Sequence, residues 1–182
     1  MIKRDTIIEM KTDYGSIYVK LFVKEAPTTC NNFLRYIDEH RYKDFHFYRT
    51  VTMSNQPMSN IRTEAIQGSL GFEKHPLQLP PILHETTNAT GIKHINGTIS
   101  MARIEPGSAS SEIFICINDQ PELNYGGRRN IDGQGFAAFG KVIKGLQVVK
   151  VIHSLPEKDQ FLNKEVKVNS IKRIKCIINK KS

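Results

Sequence analysis

The stretch from Gly97 to Cys116 constrains the fold of this chain more than any other. Two short apolar runs, Thr98–Ala102 and Ile113–Cys116, flank a loop rich in serine that also contains proline and glycine. Both runs contain β-branched or aromatic side chains, and turn-forming residues bound them, which favours strands over helices. The stretch therefore predicts two strands joined by a loop, as in the wall of a sheet or a barrel.

Further strands are predicted along the rest of the chain. Ile7–Phe22 has the pattern of a hairpin, because a turn at Gly15 precedes residues that alternate between apolar and polar with a period of two. Four more segments have strand-like patterns: Tyr42–Arg49, Glu64–Gly68, Phe136–Val142 and Val166–Ile178. About eight strands result. An antiparallel barrel is the expected closure, because a barrel leaves no strand edge exposed.

Two helices are predicted beside the strands. The first begins at Ala26-Pro27, since proline is tolerated in the first turn of a helix, and it fades by His40. Its apolar side chains recur at spacings of three and four, which places them on one face. The second is short and carries Leu146, Val149 and Ile152. We expect these helices to cap the barrel.

Composition places the chain among globular proteins of one domain. It has 182 residues, 39% of them hydrophobic, and no apolar run near the ~20 residues that span a membrane. Its three cysteines are far apart and form no C-x-x-C pair, which predicts reduced thiols rather than a disulfide framework. The six histidines show no metal-ligand spacing, so we expect no metal.

The net charge of +8 raises the hypothesis of a nucleic-acid-associated protein. Much of the excess lies near the C-terminus, where basic residues are interleaved with Val166, Val168, Ile174 and Ile178. That pattern favours the solvated face of a strand, and we expect no specific nucleic-acid partner. The N-terminus shows no secretory signal, so we expect a cytoplasmic protein, or a periplasmic one if this chain is a mature form.

Two motifs resemble the cyclophilin family of peptidyl-prolyl cis–trans isomerases. The first is G-T-I-S-M-A-R followed by E-P-G-S-A-S-S-E-I-F-I-C; the second is E-A-P-T-T-C-N-N-F at the first helix. The segment from Gln120 to Gly140 is similar to the bacterial single-domain members. The resemblance implies an eight-stranded antiparallel cyclophilin-like barrel capped by two helices over residues 5–178. It also implies a monomer that binds proline-containing polypeptides and needs no cofactor.

The resemblance also implies which residues act on the Xaa-Pro bond. Arg49 lies in Phe-Tyr-Arg, which is similar to the family's F-H-R, and it would donate to the proline nitrogen as the amide twists. Gln67 would supply a second polar contact, and Phe114 the floor of the proline pocket. These three are the candidate catalytic residues. The candidate substrate-binding residues are Ala102, Arg103, Glu112, Leu123 and Phe136.

The chain departs from the family pattern around Gln67. Gln67 follows Arg49 by 18 positions, which is longer than the common spacing and predicts an insertion within Val51–Thr63. Glu64 and Ala65 replace a Phe and a Met that line the pocket in the family. Two alternatives follow: these side chains weaken the apolar grip on proline, or the insertion supplies substitutes such as Met53, Met58 or Ile61.

Two consequences of these departures stay open at this point. Because the pocket lacks this Phe and Met, the sequence also supports an alternative function: a proline-peptide binding or chaperone module with little turnover. In addition, Glu122 stands where many relatives carry a Trp that donates a hydrogen bond to cyclosporin. We therefore expect weak or no cyclosporin binding.

Overall fold

The computed structural model describes residues 5–71 and 75–174, and nine strands run through this part of the chain. The strands are β1 (Thr6–Thr12), β2 (Gly15–Leu21), β3 (His46–Val51), β4 (Ala65–Ser69), β5 (Thr98–Met101), β6 (Ile113–Cys116), β7 (Ala137–Lys144), β8 (Glu157–Lys158) and β9 (Phe161–Ile174).

Eight of these strands close into an antiparallel barrel. The order around it is β1-β2-β7-β5-β6-β4-β3-β9, and β9 pairs with β1 to complete the circle. The two-residue strand β8 pairs with the start of β9 and lies outside the closed ring. The predicted eight-stranded barrel is confirmed, and its closure satisfies the backbone groups that an open sheet would leave at its edges.

Three α-helices accompany the barrel within the described residues: α1 (Pro27–Asp38), α2 (Thr87–Thr90) and α3 (Leu146–His153). The sequence predicted two of them. Helix α2 was missed because its single turn is too short to show a helical period. It begins where the Thr86 side chain accepts a hydrogen bond from the Ala89 N–H, and it ends at Gly91, whose φ of 74° is left-handed.

The core fills the barrel and extends under α1. Helix α1 buries Cys30, Phe33 and Ile37 on one face, as their spacing predicts. Phe33 packs against Phe139 of β7 with ring centroids 5.2 Å apart, which fixes the helix on the barrel. Each such aromatic side chain, once fully buried, contributes roughly 1.5–3 kcal/mol of transfer free energy.

Most strand boundaries differ from the prediction by one or two residues, and the starts of two strands differ by more. Strand β3 begins at His46 rather than Tyr42, because residues 42–44 form a turn in which the buried Tyr42 hydroxyl donates to the Ser111 carbonyl at 2.9 Å. Strand β9 begins at Phe161 rather than Val166, because β8 and β9 form a hairpin. Residues 175–178, the end of the predicted last strand, lie outside the described residues, as does Cys176.

The basic residues of β9 point to solvent along much of its length. Lys164, Lys167, Lys172 and Arg173 are all exposed. Arg173 forms an ion pair with Asp38, and Lys172 approaches Glu9 at 3.3 Å. None of the helices in residues 5–71 and 75–174 is long and apolar enough to cross a membrane.

Candidate active site

Three neighbouring strands bring Arg49, Gln67 and Phe114 side by side. Arg49 of β3 is the cross-strand partner of Gln67 of β4, and Gln67 is in turn the partner of Phe114 of β6. Directly opposed residues in antiparallel strands have Cβ atoms about 4.5–5.5 Å apart. Gly68 follows Gln67 at a place where a Cβ would lie 2.8 Å from the ring of Phe45, so only glycine lets β4 approach this closely.

A small cavity of about 120 Å³ lies above these residues. Its floor is Phe114, which is 6% exposed and packs with a satellite apolar cluster outside the main core. The ring of Phe136 meets Phe114 edge-on at 5.2 Å between centroids. Seven of the eight candidate residues line this cavity: Arg49, Gln67, Ala102, Arg103, Phe114, Leu123 and Phe136.

The Arg49 guanidinium is held by two glutamines. Its Nη1 donates to Gln67 Oε1 at 2.9 Å, and its Nε donates to Gln160 Oε1 at 3.0 Å. Its Nη2 donates to the same oxygen of Gln160. Because a guanidinium carries five N–H donors, two of them have no partner within residues 5–71 and 75–174 and are available to a ligand. The arginine is therefore oriented before any substrate arrives.

The Gln67 amide is fixed on its other side by Glu112. Its Nε2 donates to Glu112 Oε1, and the Tyr48 hydroxyl donates to the same oxygen. Burial beside this carboxylate raises the pKa of Tyr48 above its ordinary value, which keeps the hydroxyl protonated as a donor. Glu112, the eighth candidate residue, does not line the 120 Å³ cavity. It lines a neighbouring groove of about 980 Å³. Its observed contact orients Gln67.

Arg103 closes one wall of the cavity with its side chain. The guanidinium lies 5.4 Å from the Phe136 ring centroid and donates two hydrogen bonds to the Asp132 carboxylate, each of 2.8 Å. Hydrogen bonds from Arg103 and from the Gln134 N–H lower the pKa of Asp132 to about 2. The Ala102 N–H donates to the Glu112 carbonyl at 2.9 Å, so that N–H is already engaged within the protein.

The insertion lines the cavity with residues other than those expected. Val51 and Thr63 at its two ends form part of the cavity wall together with Ala65, whereas Met53, Met58 and Ile61 do not. Met58 is 96% exposed. The Glu64 side chain turns to the surface, where Asn118 donates to its carboxylate at 2.9 Å. Of the two alternatives, the one in which Met53, Met58 or Ile61 replaces the pocket Phe and Met does not match the lining of this cavity.

Sequence reasoning missed two polar residues beside the cavity. Gln160 reaches Arg49 from the β8–β9 hairpin, 111 positions away in sequence, and Arg129 lines the cavity from the loop that precedes β7. Neither residue lies in a motif that marks it, because the contacts are made only when the barrel closes.

A neutral histidine supports Phe114 from behind. The ring of His94 stacks on Phe114 at 5.9 Å, with 13° between the ring planes. Asn124 Oδ1 accepts from the His94 backbone N–H at 3.0 Å and lies 2.9 Å from His94 Nδ1, which assigns the ring proton to Nδ1. Burial lowers the pKa of His94 to about 4, so the ring is uncharged at neutral pH.

The described residues contain no group of three or more His, Cys, Asp or Glu side chains placed to hold a metal ion. The chemistry available in the cavity is that of a fixed cationic donor, an amide and an apolar floor.

A protein-family match identifies the family to which a chain with this site belongs. Residues 7–173 match the family model described as cyclophilin type peptidyl-prolyl cis-trans isomerase/CLD. The chain belongs to the cyclophilin family of peptidyl-prolyl isomerases. As a member it accelerates rotation about Xaa-Pro peptide bonds, as the motifs around Gly97 implied.

Two bacterial relatives are similar to this chain over most of its length. A peptidyl-prolyl cis-trans isomerase of Acinetobacter baylyi is 33% identical over 174 residues, which cover 93% of this chain and 84% of that protein. Peptidyl-prolyl cis-trans isomerase B of Escherichia coli is 35% identical over 150 residues, which cover 80% of this chain and 83% of the relative.

A solved structure shares the fold at lower identity. The cyclophilin type isomerase of Cryptosporidium parvum, crystallised in the presence of the dipeptide Ala-Pro, superposes with a TM-score of 0.72 at 23% identity. The match covers 93% of this chain and 99% of that one.

Proposed function

We propose that isomerisation takes place in the 120 Å³ cavity with Arg49 as the donor to the proline nitrogen. Rotation about an amide faces a barrier of about 18–20 kcal/mol because resonance holds it planar. When the amide twists, the nitrogen regains its lone pair and can accept a hydrogen bond. A donor that meets this lone pair stabilises the twisted state more than the planar one, which lowers the barrier.

The observation that carries this proposal is the orientation of Arg49. Gln67 and Gln160 together hold three of its N–H groups, and the guanidinium lines the cavity whose floor is Phe114. Preorganised donors of this kind lose little entropy at the moment of reaction. Phe114, Leu123 and Phe136 would grip the proline ring, and Gln67 would hold a neighbouring carbonyl.

The proposed partners are unfolded or flexible polypeptides that contain proline. A low-turnover proline-binding module is the second candidate. The observation that favours it is the cavity wall, where Ala65 and Thr63 offer less apolar surface than the Phe and Met that the family pattern would place there. A weaker grip on proline would lower turnover without removing binding.

Nuclear magnetic resonance (NMR) exchange spectroscopy on a short Ala-Pro peptide separates these two candidates. The proposal predicts that catalytic amounts of protein accelerate exchange between the cis and trans signals. Peptide-induced amide shifts around Phe114 without any acceleration would leave the binding module and contradict the proposed function.

We further propose that cyclosporin binds weakly. Glu122 replaces the Trp donor of many relatives, and its carboxylate is paired with Arg128 at 2.7 Å, which places acceptors rather than a donor at this position. Titration calorimetry is expected to give a dissociation constant in the micromolar range or weaker; a nanomolar constant would contradict this expectation.

The oligomeric state and the compartment stay proposals. We propose a monomer, which the family resemblance implies, and sedimentation analysis tests it. We also propose a cytoplasmic location, supported by the free and buried thiols of Cys30 and Cys116, which suit a reducing compartment. Fractionation of cells that express the full-length protein checks it.

A further inference from the structure

Three cavities adjoin one another at the candidate site through shared lining residues. The 980 Å³ groove and the 120 Å³ cavity share Arg49, Gln67, Ala102 and Arg103. On the other side, the 120 Å³ cavity shares Arg129 with a third cavity of about 470 Å³. The groove and the third cavity share no lining residue, so a polypeptide whose proline sits in the middle cavity could enter the groove with one flank and the third cavity with the other.

The third cavity is built from segments that meet only in the folded barrel. Residues 55–59 of the insertion form one side, the β8–β9 turn at Asp159 and Gln160 forms another, and Arg129 lies where this cavity adjoins the proline cavity. Gln160 Nε2 donates to the Asn55 carbonyl at 2.9 Å, which ties the turn to the insertion. The wall is thus preformed rather than assembled by a ligand.

Within the described residues, Arg129 has no acidic partner, unlike Arg103 and Arg128. Its Nη1 donates to Ser59 Oγ at 2.9 Å and to the Ile61 carbonyl at 2.7 Å, which fixes the half-buried guanidinium. Arg103 and Arg128 each form an ion pair with a carboxylate. In residues 5–71 and 75–174, Arg129 forms none, and its Nε and Nη2 donate to no described acceptor.

A second cation strengthens the positive potential at this point. Arg49 also forms no ion pair within the described part of the chain, because its partners are the neutral amides of Gln67 and Gln160. Burial, together with the charge of Arg49, lowers the pKa of Arg129. Asp159 also lines the third cavity, but its carboxylate is exposed to solvent and lies beyond ion-pair distance of both arginines.

We propose that the third cavity is a specificity subsite for a carboxylate, and that Arg129 selects substrates with an acidic side chain one or two residues from the proline. The acidic residue lies on the flank that does not run along Ala102 and Arg103. This inference rests on the proposed isomerase function. A half-buried guanidinium with free donors binds a carboxylate more strongly than an exposed one, because solvent screens it less.

Matched peptides with capped ends test the subsite. Two acidic peptides, acetyl-Glu-Glu-Pro-Ala-Ala-amide and acetyl-Ala-Ala-Pro-Glu-Glu-amide, each have a twin with Gln in place of Glu. We expect one of the two acidic peptides, and not the other, to be isomerised with a kcat/KM about three- to fivefold above that of its twin, the size of a modest ion pair. The ratio falls as the salt concentration rises.

Variants assign the preference to Arg129. Arg129→Gln is expected to bring the Glu/Gln ratio to about one, and Arg129→Lys to retain most of it, which separates charge from any structural effect. Arg62→Gln is the matched control. Arg62 is exposed and belongs to the insertion that forms one side of the third cavity, but it lines neither that cavity nor the proline cavity. Its loss therefore changes the net charge by the same amount and leaves the Glu/Gln ratio intact.

The outcomes distinguish this inference from the proposed function. Acceleration of both Gln twins with no preference for either acidic peptide overturns the subsite and leaves the isomerase intact. A preference that survives in Arg129→Gln also overturns it. If no peptide is accelerated, the proposed function fails, and peptide affinities from amide shifts then decide the subsite, with equal affinities for Glu and Gln twins counting against it.

Discussion

At the scale of single residues, the site depends on how Arg49 is oriented. Gln160 accepts from Arg49 with its side-chain oxygen, and its backbone carbonyl accepts from the Thr50 N–H at 2.9 Å. The Glu157 carboxylate accepts from the Gln160 N–H at 2.6 Å and anchors the turn. Gln160 is thus a positioning residue that acts through Arg49.

Gln160→Ala is expected to lower kcat about three- to tenfold, because Arg49 loses a charge-assisted partner worth about 1 kcal/mol or more and its donors spread over several directions. KM for an Ala-Pro peptide should change less. Asp159→Ala is the matched control, since it alters the same turn, also at positive φ, without touching Arg49. Equal effects of both substitutions on kcat would show that the turn, and not the contact to Arg49, is responsible.

The proximity of Arg49, Gln67 and Phe114 could be predicted from the sequence, because the motifs mark these residues and the strand register places them side by side. Gln160 and Arg129 could not. Their contacts depend on the closure of the barrel and on the path of long loops, and no local pattern of residue types encodes either.

At the scale of elements, the insertion between β3 and β4 is held by one buried amide. Gln56 Nε2 donates to the carbonyls of Thr52 and Thr63, each at 2.7 Å, and so ties the two ends of the insertion together. Gln56 is 3% exposed. The insertion is consequently an ordered wall of the site.

Gln56→Ala is expected to destabilise the protein by about 1–3 kcal/mol, because two carbonyls lose their donor in a buried place. It should also raise KM, since Thr63 and Val51 line the proline cavity from the ends of the same segment. Asn60→Ala in the exposed part of the insertion serves as the control. Urea denaturation measures the effect, and an unchanged midpoint for Gln56→Ala would contradict this account of the insertion.

Elements with a long, regular pattern were predictable and short ones were not. Helix α1 and the strands β1 and β2 follow from their periodicity, with errors of one or two residues at their ends. Helix α2 and strand β8 are a single turn and a two-residue bridge, too short for any period to show. Met53, Met58 and Ile61 do not replace the pocket Phe and Met. The sequence could not show this, because composition does not indicate which side of a loop faces the cavity.

At the scale of the whole molecule, His94 links stability to pH. Its pKa in the folded protein is about 4 against 6.5 for an ordinary histidine. The unfolded chain therefore binds a proton that the folded protein does not, so the stabilising contribution is complete above about pH 6.5 and is lost as the pH falls towards 4. Burial lowers the pKa of His84 as well, with the same sign.

Between pH 6.5 and 5, the titration of His94 is expected to lower the free energy of unfolding by about 1.5 kcal/mol. His94→Gln has no titrating group at this position, and its stability should fall less over the same interval. Denaturant titrations of both proteins at a series of pH values measure the difference. Parallel curves would mean that His94 is not the responsible group.

The most direct test of the central claim is the turnover of an Ala-Pro peptide by the Arg49→Ala variant, measured by NMR exchange beside the unaltered protein. We expect the acceleration to fall at least about tenfold, equivalent to roughly 1.4 kcal/mol of lost transition-state stabilisation, while the peptide still shifts the amide signals around Phe114 and Leu123. Acceleration that Arg49→Ala leaves unchanged would contradict the account and move catalysis away from this cavity.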